Sequence, residues 1–251
     1  MKAAIACLLL LVCASPALAQ EHAAEAIYPA DRMAAARRQL AEEHGGMPWS
    51  KAELELAEAN PASGGYAWQA RASIGGDINR WVVKSEGYGD RQVDHAEVQA
   101  LYSKAIGPYF NFEAGLRQDL EAGPRRTYAT LGLEGLAPYG IEVEGAVFLS
   151  QKGEAFARLE TWTDFRLTQR LILQPRVEVN LAAQRSAELG LGGGLNDADA
   201  GLRLRYAAKP ELAPYVGVTW RRKFGLAART ARAGGEAAAD TRAVVGLSAW
   251  F

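Results

Sequence analysis

Thr241-Arg-Ala-Val-Val-Gly-Leu-Ser-Ala-Trp-Phe251, the final stretch of the chain, decides the fold. Read back from Phe251, every second residue is apolar: Ala249, Leu247, Val245 and Ala243. Trp250, Ser248, Gly246, Val244 and Arg242 stand between them. Period two puts one set on each face of a β-strand, one face apolar and the other mixed. In a soluble sheet such a terminal strand would be an exposed, adhesive edge. In a closed barrel of the bacterial outer membrane it is the last stave, and a terminal Phe is the expected assembly mark.

The start of the chain fits export. Met1-Lys2 is basic, Ala3 to Ala14 is apolar, and Ala17-Leu18-Ala19 has the small-x-small form of a cleavage site. Residues 1–19 therefore read as a secretory signal peptide. Both cysteines, Cys7 and Cys13, fall inside it. The exported chain is expected to lack disulfides, thiolate metal sites and a Cys nucleophile. Removing Lys2 takes the formal charge from -1 to -2, a balance that gives no argument for nucleic-acid binding. After the signal no apolar run approaches eighteen residues, so any passage through a membrane must be made by strands.

Residues 20–50 read as a short mobile periplasmic tail. Asp31 is placed to cap a marginal helix over Arg32–Glu43, stopped by Gly45-Gly46. Residues 51–251 read as the barrel. Twelve strands are expected, over Ala52–Ala59, Tyr66–Ile74, Asn79–Gly87, Ala96–Ile106, Tyr109–Leu120, Arg126–Leu136, Ile141–Ser150, Ala155–Leu167, Leu171–Ala183, Asp197–Tyr206, Pro214–Phe224 and Arg242–Phe251. In the first, Leu54 and Leu56 against Glu53 and Glu55 fit a helix almost as well. Compact connections such as Gly75-Gly76-Asp77 and Gly107-Pro108 alternate with longer ones such as Arg185 to Asn196 and Gly225 to Asp240. Gly107-Pro-Tyr109, Ala137-Pro-Tyr139 and Ala213-Pro-Tyr215 read as one turn solution used three times on one rim. The fold class expected is all-β: a transmembrane antiparallel up-and-down barrel of about twelve strands.

One parity of these strands is apolar, as in Ile141, Val143, Gly145, Val147 and Leu149. The other carries Glu97, Glu113, Arg117, Glu134, Glu144, Arg158, Glu160, Arg176, Glu178, Asp199, Arg203 and Arg221, among others. Acids and bases are nearly equal, which predicts a narrow, salt-bridged lumen rather than a wide pore. Some of the carboxylates could instead form a cation path.

Barrel hydrolases use a His-activated Ser. The histidines are His22, His44 and His95. The first two lie in the tail, and His95 reads as part of the loop before the Ala96 strand, with Ser103 too far along to pair. No enzyme is expected. The tail also holds Met33 and Met47. Imidazole and thioether are soft donors that suit copper more than calcium or magnesium, although four such residues also arise by chance in a tail of this composition.

Several blocks carry a resemblance: Ile74-Gly-Gly-Asp-Ile-Asn79, Trp81–Gly87, Ala96–Ser103, Leu136-Ala-Pro-Tyr139, Leu167–Arg176, Asn180–Ala183, and Ala213–Gly217 with Trp220 and Lys223-Phe-Gly225. Together they resemble the copper resistance protein B family, over about Ala52 to Phe251. The resemblance implies a copper-binding, non-enzymatic barrel in the outer membrane of a Gram-negative bacterium. Its partners would be outer-membrane lipid, copper ions and a periplasmic multicopper oxidase. It also implies a long tail crowded with Met and His, whereas this tail keeps only His22, Met33, His44 and Met47 as metal ligands. Two other readings are a structural barrel whose tail docks a periplasmic partner, and a small porin.

Overall fold

A computed structural model describes residues 27–44, 48–62, 64–90, 92–120, 125–209 and 211–251. The chain divides into two compact units, Met1–Gly46 and Met47–Phe251. In the first, helix α1 spans Ala30–His44. It begins one residue before Asp31, which lies inside the first turn rather than capping it and there faces the positive end of the helix dipole. Ile27, Tyr28 and Leu40 are exposed, in keeping with a thin apolar face.

The second unit is a closed antiparallel barrel. Its strands are β1 (Trp49–Ala59), β2 (Tyr66–Gly75), β3 (Asn79–Gly89), β4 (Val93–Ala105), β5 (Phe110–Asp119), β6 (Thr127–Ala137), β7 (Ile141–Ser150), β8 (Ala155–Trp162), β9 (Phe165–Arg166), β10 (Leu171–Ala182), β11 (Gly194–Tyr206), β12 (Leu212–Lys223) and β13 (Ala239–Trp250). Except for β8 and β9, each pairs with its sequence neighbours, and β13 pairs with β1 to close the wall. The terminal residue completes the seam: Phe251 N–H donates to the Ala52 carbonyl at 2.8 Å, and Ala52 N–H donates back at 2.9 Å.

β8 and β9 both pair with β10, so they are two pieces of one stave and the barrel has twelve. The sequence pattern gave one unbroken strand there. The break lies opposite Pro175 of β10. Thr163 N–H still donates to the Pro175 carbonyl at 3.3 Å, but proline has no N–H to return, and the ladder fails at that step.

β1 is a strand, and its ambiguous pattern has a physical origin. A bulge between Leu54 and Ala57 shifts the register against both neighbours. An extra residue breaks period two locally, which is why a helix fitted the same residues.

Both chain ends of the barrel lie on one rim, with the connections 76–78, 106–109, 138–140, 167–170 and 207–211. The opposite rim carries 60–65, 90–92, 120–126, 151–154, 183–193 and 224–238. All three Pro-Tyr steps sit near the first rim, but they are not one turn repeated. Tyr139 occupies a single 3-10 turn at φ 68°. Pro214 and Tyr215 lie inside β12, because a bridge between Lys209 and Leu212 closes that turn earlier. The last connection contains a helix absent from the sequence reading, α2 (Gly225–Ala233). It has no side-chain N-cap, so the usual start signal is missing.

The outer face is apolar and exposed, with Val83, Leu116, Leu131, Val147, Val177, Val216 and Val245 along it. Trp81, Tyr102, Phe110 and Tyr206 ring the outside near the rim of the chain ends, and Tyr66 and Trp220 lie toward the other. Apolar bands between aromatic girdles are the mark of membrane barrels. Among the described residues no helix is long and apolar enough to cross a membrane. The terminal strand follows the same rule. Val245 faces out, while Val244 and Gly246 face in. Glycine at 246 leaves room for the Tyr215 ring, which a Cβ would meet at 2.5 Å.

Candidate metal centre in the barrel lumen

Strand register aligns acids across the inner wall. Glu134 of β6 lies opposite Glu144 of β7, Glu144 opposite Glu160 of β8, Glu160 opposite Glu178 of β10, and Glu178 opposite Asp199 of β11. Like charges directly opposite on paired strands destabilise a sheet. A lumen built only for stability would alternate the signs.

Cations of the ladder strands and of other strands pair with these acids. Arg71 of β2 reaches Glu134 at 2.7 Å, and Lys84 of β3 reaches Glu144 at 2.7 Å and Glu113 at 2.8 Å. Arg176 pairs with Glu160, Arg158 lies 3.5 Å from Glu178, and Arg221 is 2.8 Å from Asp199. Arg203 holds Glu58 at 2.6 Å. The bulge in β1 allows both Glu55 and Glu58 to face inward. Side chains this long reach across the lumen, as Arg71 does to Glu134 and Arg158 to Glu86. A pocket lined in part by Glu55, Arg71, Lys84, Glu144 and Arg158 has a volume of about 20 Å³, room for about one water.

A second group of donors lies toward the rim opposite the chain ends. Glu86 of β3 stands opposite Glu97 of β4, and Tyr88 opposite His95. One ligand atom each of Glu86, His95 and Glu97 can be chosen so that all lie within 4.8 Å of one another. His95 Nε2 is 3.3 Å from Glu97 Oε2, and its ring packs against Tyr88 with centroids 5.5 Å apart. Gln99 donates to Glu97 at 2.7 Å. Arg158 pairs with Glu86 and reaches Glu97 at 3.1 Å, while Arg117 bonds Glu97 at 2.6 Å and Asp119 at 2.9 Å. Arg117 also lies 4.7 Å from the Phe148 ring centre. Glu97 is 1% exposed, so its position is set by these partners.

Residues 49–251 match the family described as Copper resistance protein B precursor (CopB). The chain belongs to the copper resistance protein B family. A copper resistance protein B homolog of Pseudomonas syringae pv. tomato is 43% identical over 200 residues, covering 79% of this chain and 68% of that protein. Copper resistance protein B of Escherichia coli is 41% identical over 187 residues, covering 74% of this chain and 63% of that protein. Membership implies a role in copper resistance. Among solved structures the NanC porin superposes with a TM-score of 0.52 at 10% identity, covering 80% of this chain and 99% of that one. That likeness shows the outer-membrane barrel fold and nothing of the cargo.

Of the ligands expected in the tail, only Met33 and His44 fall among the described residues. His22 and Met47 lie outside the described residues. Met33 sits half-buried in the first turns of α1, and His44 is the helix's last residue. Eleven residues at ~1.5 Å per residue separate them by about 16 Å along the axis. One ion cannot bind both while the helix stands.

His95 is not in a loop; it lies in β4 and faces the lumen. The signal for it was present in the sequence. His95 and Glu97 are two apart and share a strand face, and the Gly89-Asp90 step before them marks a tight hairpin. Folding that hairpin returns Glu86 opposite Glu97.

Proposed function

We propose that this chain is a copper-binding, non-enzymatic protein of the bacterial outer membrane. It sequesters or moves copper ions for copper resistance. Copper meets the soft donors of the tail, His22, Met33, His44 and Met47, on the periplasmic side, and is held or passed at the carboxylates of the lumen. The observation that carries this reading is the ladder Glu134–Glu144–Glu160–Glu178–Asp199. Its like charges work against sheet stability and favour a cation, in a chain whose family implies copper resistance. The ion pairs that cross the lumen support selective handling over a general porin. Exposed Ile27, Tyr28 and Leu40 near and along α1 favour a further role for the tail, docking a periplasmic partner such as a multicopper oxidase. The test is the copper content and growth of bacteria with and without the gene under copper stress. Equal copper content and equal survival would remove the proposal.

A further inference from the structure

We propose that Glu86, His95 and Glu97 form a Cu(II) site inside the barrel, and that Arg158 is the counter-ion which the metal displaces. The inference rests on copper being the cargo.

The donor set comes first. One imidazole and two carboxylates converge within 4.8 Å, close enough for small movements to bring them to one ion. The set is nitrogen and oxygen without sulfur. Such donors suit Cu(II) and Zn(II) rather than Cu(I), and Cu(II) stands highest in the divalent series. The tail offers thioethers, so the two regions would prefer different oxidation states of one metal.

Charge is the second argument. Glu86, Glu97 and Asp119 are paired with Arg117 and Arg158, and Arg158 is shared again with Glu178 of the ladder. Three acids against two guanidiniums, one of them shared, favour added positive charge at this place. Arg158 also has somewhere to go. Its Nε already donates to Asn180 Oδ1 at 3.1 Å and lies 3.5 Å from Glu178. Releasing Glu86 and Glu97 while keeping β10 partners would open the site without stranding a buried cation. Arg117 keeps Glu97 oriented through its remaining oxygen, as outer-shell partners do at metal sites.

The experiment uses the full exported chain in detergent micelles with His22, Met33, His44 and Met47 all changed to Ala. The chain has three histidines, so His95 is then the only imidazole left. Cu(II) titration is followed by electron paramagnetic resonance. The expected result is a bound Cu(II) spectrum with coupling to one imidazole. His95→Ala should remove that coupling and weaken binding by more than ~10-fold. Glu86→Gln, which can still accept a hydrogen bond from Arg158, should also weaken binding. Heat-modifiable migration on gels confirms that each variant keeps its barrel. Absence of Cu(II) binding in the tail-substituted protein, or equal binding with His95→Ala and Glu86→Gln, would overturn the site. If the unsubstituted protein still binds copper in that case, the broader copper reading survives. If it binds none, both fall.

Discussion

The inner wall of the barrel and helix α1 both carry residues able to meet copper, and they differ in what fixes those residues. On the wall, Glu86, His95 and Glu97 are set by hairpin register and held by Arg117 and Arg158. In α1, Met33 and His44 are carried by one helix that keeps them about 16 Å apart. A strand pair converges donors distant in sequence. A helix converges only those three or four residues apart. On the proposed reading the wall offers donors already close together, whose occupant must compete with resident cations, whereas the tail offers separate donors that must be gathered. Preformed sites select by geometry and charge; gathered ones bind modestly and exchange quickly.

The strongest way to break this comparison is to remove the resident cation. Arg158→Met would leave Glu86, Glu97 and Glu178 facing only Arg117 and the cations shared with the ladder. Breaking a buried ion network by deleting one partner costs about 3–5 kcal/mol. We expect a large fall in thermal stability in micelles. Added Cu(II) should return part of it, about 2.7 kcal/mol at a hundredfold excess over Kd. A variant as stable as the parent, or one indifferent to Cu(II), would mean that Arg158 does not hold the place of a metal.

Next comes the packing of the lumen. Arg71 and Lys84 reach the acids of β5, β6 and β7 from β2 and β3, and the space between them holds about one water. The parent protein should show little steady conductance in planar bilayers. Arg71→Ala combined with Lys84→Ala should raise it clearly and bias it toward cations, because Glu113, Glu134 and Glu144 would then line an open path. Large porin-like steps from the parent would refute the plugged lumen.

How much of this was legible depended on which forces act locally. Twelve staves could be read because an apolar outside and a charged inside impose period two on nearly every strand. The period blurs at the bulge Leu54–Ala57, where the expected strand nevertheless forms, and it failed to show the stave broken opposite Pro175, whose missing donor acts on the partner strand. Helix α2 escaped because it starts without a side-chain cap. The expectation of nearly equal acids and bases missed Glu55, Glu58 and Glu86 as well as Arg71 and Lys84, all now in the lumen network. It also could not show that acids sit opposite acids. That follows from register, which a strand-by-strand reading does not contain. The Glu86–His95–Glu97 group was missed for the same reason, since His95 appeared as a loop residue until its hairpin partner was known.

A smaller effect is expected in the tail. His44→Ala with Met47→Ala should weaken Cu(I) binding, since thioether sulfur favours the reduced ion, and should barely change Cu(II) binding at the wall. Met33→Ala should add nothing to that double variant while α1 stands, because of its distance along the axis. Copper titration in reducing and oxidising buffer measures both. Identical curves for parent and double variant would take the tail out of the mechanism, and a strong added effect of Met33 would show that the helix opens to bind.

The smallest effect lies at the loop rim, in an ion pair whose acid is exposed and which strand register does not fix. Glu188, in the 183–193 connection, bonds Lys152 and lies 2.8 Å from Arg126. Arg126 also pairs with Glu154, so three connections of that rim meet here. Hydrogen bonding and charge from Lys152, then the Arg126 guanidinium, hold the Glu188 carboxyl below its ordinary range. A depressed pKa means that the folded form prefers the ionised group. The link is therefore fully present above the unfolded carboxylate value, ~4.3, and is lost as pH falls through the lower folded value. Glu188 is exposed, so salt should screen the pair and its worth should be slight. Hydrogen exchange of residues 183–193 should be slower in the parent than in Glu188→Gln at neutral pH and low salt. The difference should shrink in high salt and vanish in strong acid. The lumen pairs, by contrast, should keep the exchange of β3, β4 and β8 slow under the same salt. Equal salt sensitivity of rim and wall would erase the distinction between ion pairs held by strand register and those formed between loops around an exposed acid.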